Sequence, residues 1–294
     1  MEFDRCAEDV GNVLHLEHVN LQVPDPLIAT QFYVGALGLT RDPYLMTGVD
    51  NMWINAGRTQ FHLPTGPAQK LRGQIDLVIP DRQALLQRLQ ASLAALQHTE
   101  FGFEAGEGFV DVRCPWGNRL RCFEPEASRF AGIALGIARL EFEVAPGTSS
   151  RIARFYREAL GARAQWHTDV RPGDVGPDTG QAVAEVQVGA GQLLLFRESA
   201  SPLLPYDGHH IQIYVADFSG PHARLKALGA VSQESDQHQY RLLDIVDVDS
   251  GTPLFRLEHE VRSLTHPLFG RPLVNRNPAQ NNRHYRRGHD AFED

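Results

Sequence analysis

The sequence predicts an α+β protein of four βαβββ units paired into two domains, each a curved mixed sheet with helices outside. Two observations carry this. The stretch Leu14 to Leu39, LHLEHVNLQVPDPLIATQFYVGALGL, returns in degraded form as Ile137 to Ala162, IARLEFEVAPGTSSRIARFYREALGA. The order strand, helix, strands also recurs from Gly73 to Pro125 and from His209 to Val261, so one kind of unit is present four times, at roughly 14–66, 73–126, 136–200 and 208–262. A chain of 294 residues is long for one core and comfortable for two. The expected domains are therefore residues 14–126 and 136–262, two units each, followed by an Arg-rich polar tail over 263–294.

The first unit opens on an alternating strand. Val19, Leu21 and Val23 share one face, and His18, Asn20 and Gln22 share the other. A Pro-Asp turn leads to a helix with apolar positions Phe32, Val34 and Leu37, closed by Gly38, a residue suited to a left-handed cap. The third unit repeats this with Leu140, Phe142 and Val144, then Phe155, Leu160 and Gly161. The second unit reads as the strand GQIDLVIPD, the helix RQALLQRLQASLAALQ and strands around FVDVRCPWGNRLRCFEP. The fourth reads as HHIQIYVADF, PHARLKALGA and YRLLDIVDVDSGTPLFRLEHEV. Each unit leaves a sheet face bare, so paired units should share a curved sheet around a concave pocket. Residues 168–181 hold the Gly, Pro and Asp of a long loop, and the apolar piece Pro267 to Val274 of the tail is suited to strap across a neighbouring domain or subunit.

Composition narrows the function. A formal charge of −8 without a basic stripe argues against a nucleic-acid partner. No apolar run is long enough to cross a bilayer, and the acidic start MEFDRCAEDVG is unlike a secretory signal. Cys6, Cys114 and Cys122 lack metal-like spacing and read as reduced thiols, so the expected location is the cytoplasm. The expected partner is a small molecule, with neither nucleic acid nor membrane, and a homodimer stays open.

On the faces opposite the core the four opening strands place His18, Asn20 and Gln22; Gln74 and Asp76; Arg139, Glu141 and Glu143; and His210, Gln212 and Tyr214. That pattern suits either a solvated sheet face or the lining of a cupped pocket.

HVNLQVPD followed by QFYVGALGL, RTQFHLP closing the first unit, and PWGNRLRCFEP ending the second resemble the vicinal oxygen chelate superfamily over roughly residues 14–262. That superfamily includes glyoxalase I, extradiol dioxygenases, methylmalonyl-CoA epimerase, and fosfomycin and bleomycin resistance proteins. The resemblance implies a metal-dependent enzyme, a lyase, isomerase or oxidoreductase, acting on a small oxygenated substrate. The alternative is a metal-free small-molecule-binding protein of the same fold.

Carried over, the resemblance implies His18, His62 and Gln74 as ligands of a divalent metal, zinc, nickel, iron or manganese. Arg121 falls where many relatives have a glutamate. A guanidinium ~4 Å from a dication, at an effective dielectric of ~20, is repelled by roughly 8 kcal/mol, so Arg121 would have to turn aside and bind a substrate anion instead. Arg139 and His210 are the other expected substrate-binding residues, and Asp76 is the expected general base. Phe255 stands where dioxygenase-like members have their second-half glutamate. Glu258, three residues on, would face the other side of a regular strand unless a bulge re-registers it.

Overall fold

The structure, a computed structural model, describes residues 3–45, 48, 50–169 and 181–292. Most of the loop expected at 168–181 lies outside the described residues. Each of the four sequence units is realised. The first holds β1 (Val13–Asn20), α1 (Pro26–Ala29), β2 (Thr40–Arg41), β3 (Asn51–Ala56) and β4 (Thr59–Pro64). The second holds β5 (Gly73–Val78), α2 (Arg82–Leu96), β6 (Gly102–Ala105), β7 (Phe109–Arg113) and β8 (Arg119–Phe123). A short α3 (Ala127–Phe130) occupies the connector. The third holds β9 (Gly136–Val144), α4 (Ser149–Glu158), β10 (Ala164–Asp169), β11 (Gln181–Gly189) and β12 (Gln192–Glu198). The fourth holds β13 (His210–Val215), α5 (Ser219–Ala227), β14 (Val231–Asp236), β15 (Gln239–Val246) and β16 (Pro253–Ser263).

Aspartates stand at the start of three of the four unit helices, α1, α2 and α5. Asp25 Oδ1 accepts from the backbone N–H of Leu27 and Ile28 with Pro26 in the first helical position, Asp81 accepts from Ala84, and Asp217 accepts from Gly220. The first helix departs from the expected regular form. After Ala29 it widens into a π-helix over Thr30–Ala36, with Leu37 N–H donating to the Phe32 carbonyl five residues back, before Gly38 ends it at φ +79°.

The strands form two eight-stranded mixed sheets, in the orders β14-β15-β16-β13-β1-β4-β3-β2 and β10-β11-β12-β9-β5-β8-β7-β6. Within a unit the first strand runs parallel to the last, as β1 with β4 and β5 with β8, and the later strands are antiparallel. The first strand is thus the open edge of each four-stranded set. The sheets join the first unit to the fourth and the second to the third, where consecutive units were expected to pair. The reason is physical: an open edge has to be paired, and β1, β5, β9 and β13 offer equivalent edges, so alternation cannot say which two meet.

By packing, residues 17–140, 207–210 and 270–294 form one compact unit, and residues 1–16, 141–206 and 211–269 form the other. In the former, Phe32, Tyr33 and Phe61 make a fully buried aromatic core beside Leu85 and Leu89 of α2. In the latter, Phe142, Tyr156, Phe196 and Phe255 play that part. Phe255 is therefore a core residue. Leu257, His259 and Val261 follow it inward along β16, while Glu258 and Glu260 lie on the other face, both ion-paired with Arg241.

The tail docks on the first of these compact units. Val274 O accepts from Asn55 Nδ2 at 3.0 Å, and the Asn275 side chain bonds both the N–H and the carbonyl of Gly57. Gly57 makes the β3–β4 turn at φ +59°, and a Cβ there would lie 1.8 Å from the Leu135 carbonyl oxygen, so only glycine fits. Arg271 closes the strap on Asp42 at 2.8 Å.

Candidate metal centre

Within the compact unit of residues 17–140, 207–210 and 270–294, three histidines converge: His18 from β1, His62 from β4 and His210 from β13. One ring nitrogen from each lies within 4.8 Å of the other two. His18 is at the centre. Its ring meets that of His62 edge-on at 5.7 Å and that of His210 at 6.1 Å. His18 is 1% exposed, and its Nδ1 lies 3.6 Å from the carboxylate of Glu17.

Register brings these residues together. In the β1–β4 ladder, His18 pairs with Gln60 and Asn20 with His62, so the two histidines are diagonal neighbours on one face. The β3–β4 hairpin then sets Trp53 directly opposite His62. Their rings stack at 3.8 Å with 10° between planes, and the Trp53 ring meets His18 edge-on at 5.0 Å. Asn51, two residues before Trp53 and on the same face, has its Oδ1 2.5 Å from His62 Nε2. Asn20 is 4% exposed, and its Oδ1 has no hydrogen-bond partner among the described residues.

His210 is placed by the residues just ahead of β13. Gln69 accepts from Gln22 N–H at 2.8 Å and donates to the Asp207 carbonyl at 2.8 Å, tying the chain after β1 to the chain before β13. The Asp207 carboxylate accepts from His209 Nδ1 at 2.7 Å and from Lys70 N–H at 2.6 Å. Burial acts to raise its pKa, but these bonds outweigh it and hold the carboxyl below the usual range.

The other expected site residues belong elsewhere. Gln74, Asp76 and Arg121 lie on β5 and β8, in the second sheet, whereas His18, His62 and His210 lie in the first. Gln74 donates to Asp76 at 2.8 Å, and Asp76 is buried. Arg121 makes a two-pronged pair with Asp111, at 2.7 and 3.0 Å, and stacks over Phe109. The expected repulsion between Arg121 and a metal at the histidines is thereby lifted, because the first and second units do not share a sheet. Arg139 Nη2 donates to the Arg129 carbonyl at 3.4 Å, and Glu141 pairs with Arg197 at 3.4 Å.

His210 was expected as a substrate-binding residue, and the structure sets it beside the two imidazoles expected to bind metal. The signal was present: His18 and His210 stand at the same spacing ahead of Asp25 and Asp217. Trp53 and Asn51 were not anticipated at all. The Ala-Gly-Arg turn at 56–58, which fixes the hairpin register, could have found them.

The residues suit a late first-row divalent metal. Three neutral imidazoles from three strands are an ordinary donor set for zinc or nickel, and a buried amide oxygen lacking a partner on the same strand face adds a polar contact for whatever binds there. No Asp, Glu or Cys among the described residues joins this group.

The comparisons agree with this architecture. Residues 144–248 match the family model described as Glyoxalase-like domain. Glyoxalase I from Zea mays is similar in fold, with a TM-score of 0.56 at 13% identity over 85% of this chain and 92% of that one. A Bacillus subtilis protein described as a "putative dioxygenase" is similar with a TM-score of 0.52 at 12% identity, over 90% of this chain and 92% of that one. The chain has a two-domain glyoxalase-like fold. Among curated proteins, none matches this chain in sequence. Its cysteines are free, Cys6 exposed and Cys114 and Cys122 buried, and no described helix is long and apolar enough to cross a membrane.

Proposed function

We propose that this chain is a metal-dependent enzyme of the glyoxalase and dioxygenase type, acting on a small molecule that carries two adjacent oxygens. The observation that carries the reading is the convergence of His18, His62 and His210 from three strands, with ring nitrogens within 4.8 Å of one another. In this reading the three imidazoles hold a divalent metal. When bound, the metal supplies Lewis acidity toward a carbonyl or enediolate oxygen. Trp53 packs against the His62 ring and offers a flat apolar wall. Asn20 Oδ1 accepts a hydrogen bond from a substrate hydroxyl, a role its buried and unpartnered oxygen supports. In the metal-free alternative Arg121 and Arg139 would capture an anionic or aromatic ligand, and anion capture by Arg121 is disfavoured because its guanidinium is already paired with Asp111.

The test is metal-dependent binding of a coloured catechol. Metal-loaded protein should shift the absorption spectrum of 4-nitrocatechol, and the shift should vanish after chelation and in His62→Ala. Equal binding with and without metal would contradict the reading.

A further inference from the structure

We propose that Asn51 is a positioning residue that selects which nitrogen of His62 faces the metal. The inference rests on the metal reading above. A neutral imidazole carries one N–H, and the hydrogen bond made by one nitrogen decides the state of the other. Asn51 Oδ1 lies 2.5 Å from His62 Nε2 and, as a carbonyl oxygen, can only accept, so Nε2 carries the proton and Nδ1 keeps the lone pair. The stack on Trp53, at 3.8 Å and 10°, fixes the plane of the same ring. Orientation and tautomer are thus set by two residues of one strand, Trp53 opposite His62 and Asn51 two places away. His62 then enters the site through Nδ1 with no change of tautomer on metal binding.

Outer partners of this kind change metal affinity by about 10–100-fold. Two measurements on the full chain test the assignment. Long-range proton–nitrogen NMR on metal-free protein reads the tautomer of His62 directly, and competition against a chromophoric chelator reads zinc affinity. The wild-type chain should show Nε2–H. Asn51→Leu should lose that preference and bind zinc about 10–100-fold more weakly. Asn51→Asp, which keeps an acceptor oxygen in place, should retain both the tautomer and the affinity, a rescue that a merely structural role would not require. An Nδ1–H tautomer in the wild type, or an Asn51→Leu chain with unchanged tautomer and affinity, overturns the assignment to Asn51. Zinc affinity that is unchanged in His62→Ala overturns the metal reading itself and with it any ligand role for Nδ1.

Discussion

The indole of Trp53 lies flat on the imidazole of His62, with ring centres 3.8 Å apart, and the same indole meets His18 edge-on at 5.0 Å. A single aromatic residue therefore touches two of the three histidines. Zinc added to metal-free protein should change the emission of Trp53, because the ring it stacks on would gain a cation. Trp53→Leu should remove that signal and weaken zinc binding several-fold, since an aromatic stack contributes about 0.5–1.5 kcal/mol beyond its buried area. An emission change that survives Trp53→Leu would assign the signal to Trp116 or Trp166 and contradict the expectation.

Arg271 in the tail reaches Asp42 at 2.8 Å, and Asp42 is wholly buried. Burial acts to raise the Asp42 carboxyl, but the Arg271 bond and the backbone N–H groups of Leu45 and Tyr44 outweigh it and hold its pKa below the ordinary value. Its stabilisation is then present above the unfolded carboxyl range and lost as pH falls through the depressed value. Arg271→Ala leaves a buried carboxylate without its cation and should cost about 3 kcal/mol in urea unfolding at pH 7. Asp42→Asn in the same chain should recover part of that loss. A single mutant as stable as wild type would show that the strap contributes nothing.

In the other compact unit the Tyr156 hydroxyl lies 2.6 Å from His259 Nε2, while His259 Nδ1 is 2.7 Å from the Leu257 carbonyl. The ring is neutral and fully enclosed, and burial pushes its pKa down to about 4. Because the unfolded chain takes up this proton near the ordinary histidine value and the folded one does not, stability should fall between about pH 6.5 and 4 and level off below. The contribution is roughly 3 kcal/mol across that window. His259→Gln, which keeps an acceptor for Tyr156, should flatten the slope by up to one proton. An unchanged slope in that variant would contradict the account.

Much of the fold was legible because the unit is written four times, with strand alternation and Pro-Asp or Ala-Asp helix starts recurring at Asp25, Asp81 and Asp217. The partnering of the units was not, since the free edges of β1, β5, β9 and β13 carry the same signal. The site followed the same division. His18 and His62 could be named from one unit alone, while His210 joins them only once the fourth unit is known to share their sheet. Gln74, Asp76 and Arg121 were expected beside the histidines for the converse reason. The π-helix over Thr30–Ala36 has no sequence mark that separates it from an α-helix of the same composition.

Counting metal tests the three-histidine site most directly. Protein purified without chelators and dialysed against trace zinc should carry close to one ion per chain by elemental analysis. His18→Ala should carry none while keeping the wild-type circular dichroism spectrum. A wild-type chain that binds no ion, or a His18→Ala chain that binds as much as wild type, would show that His18, His62 and His210 do not hold a metal.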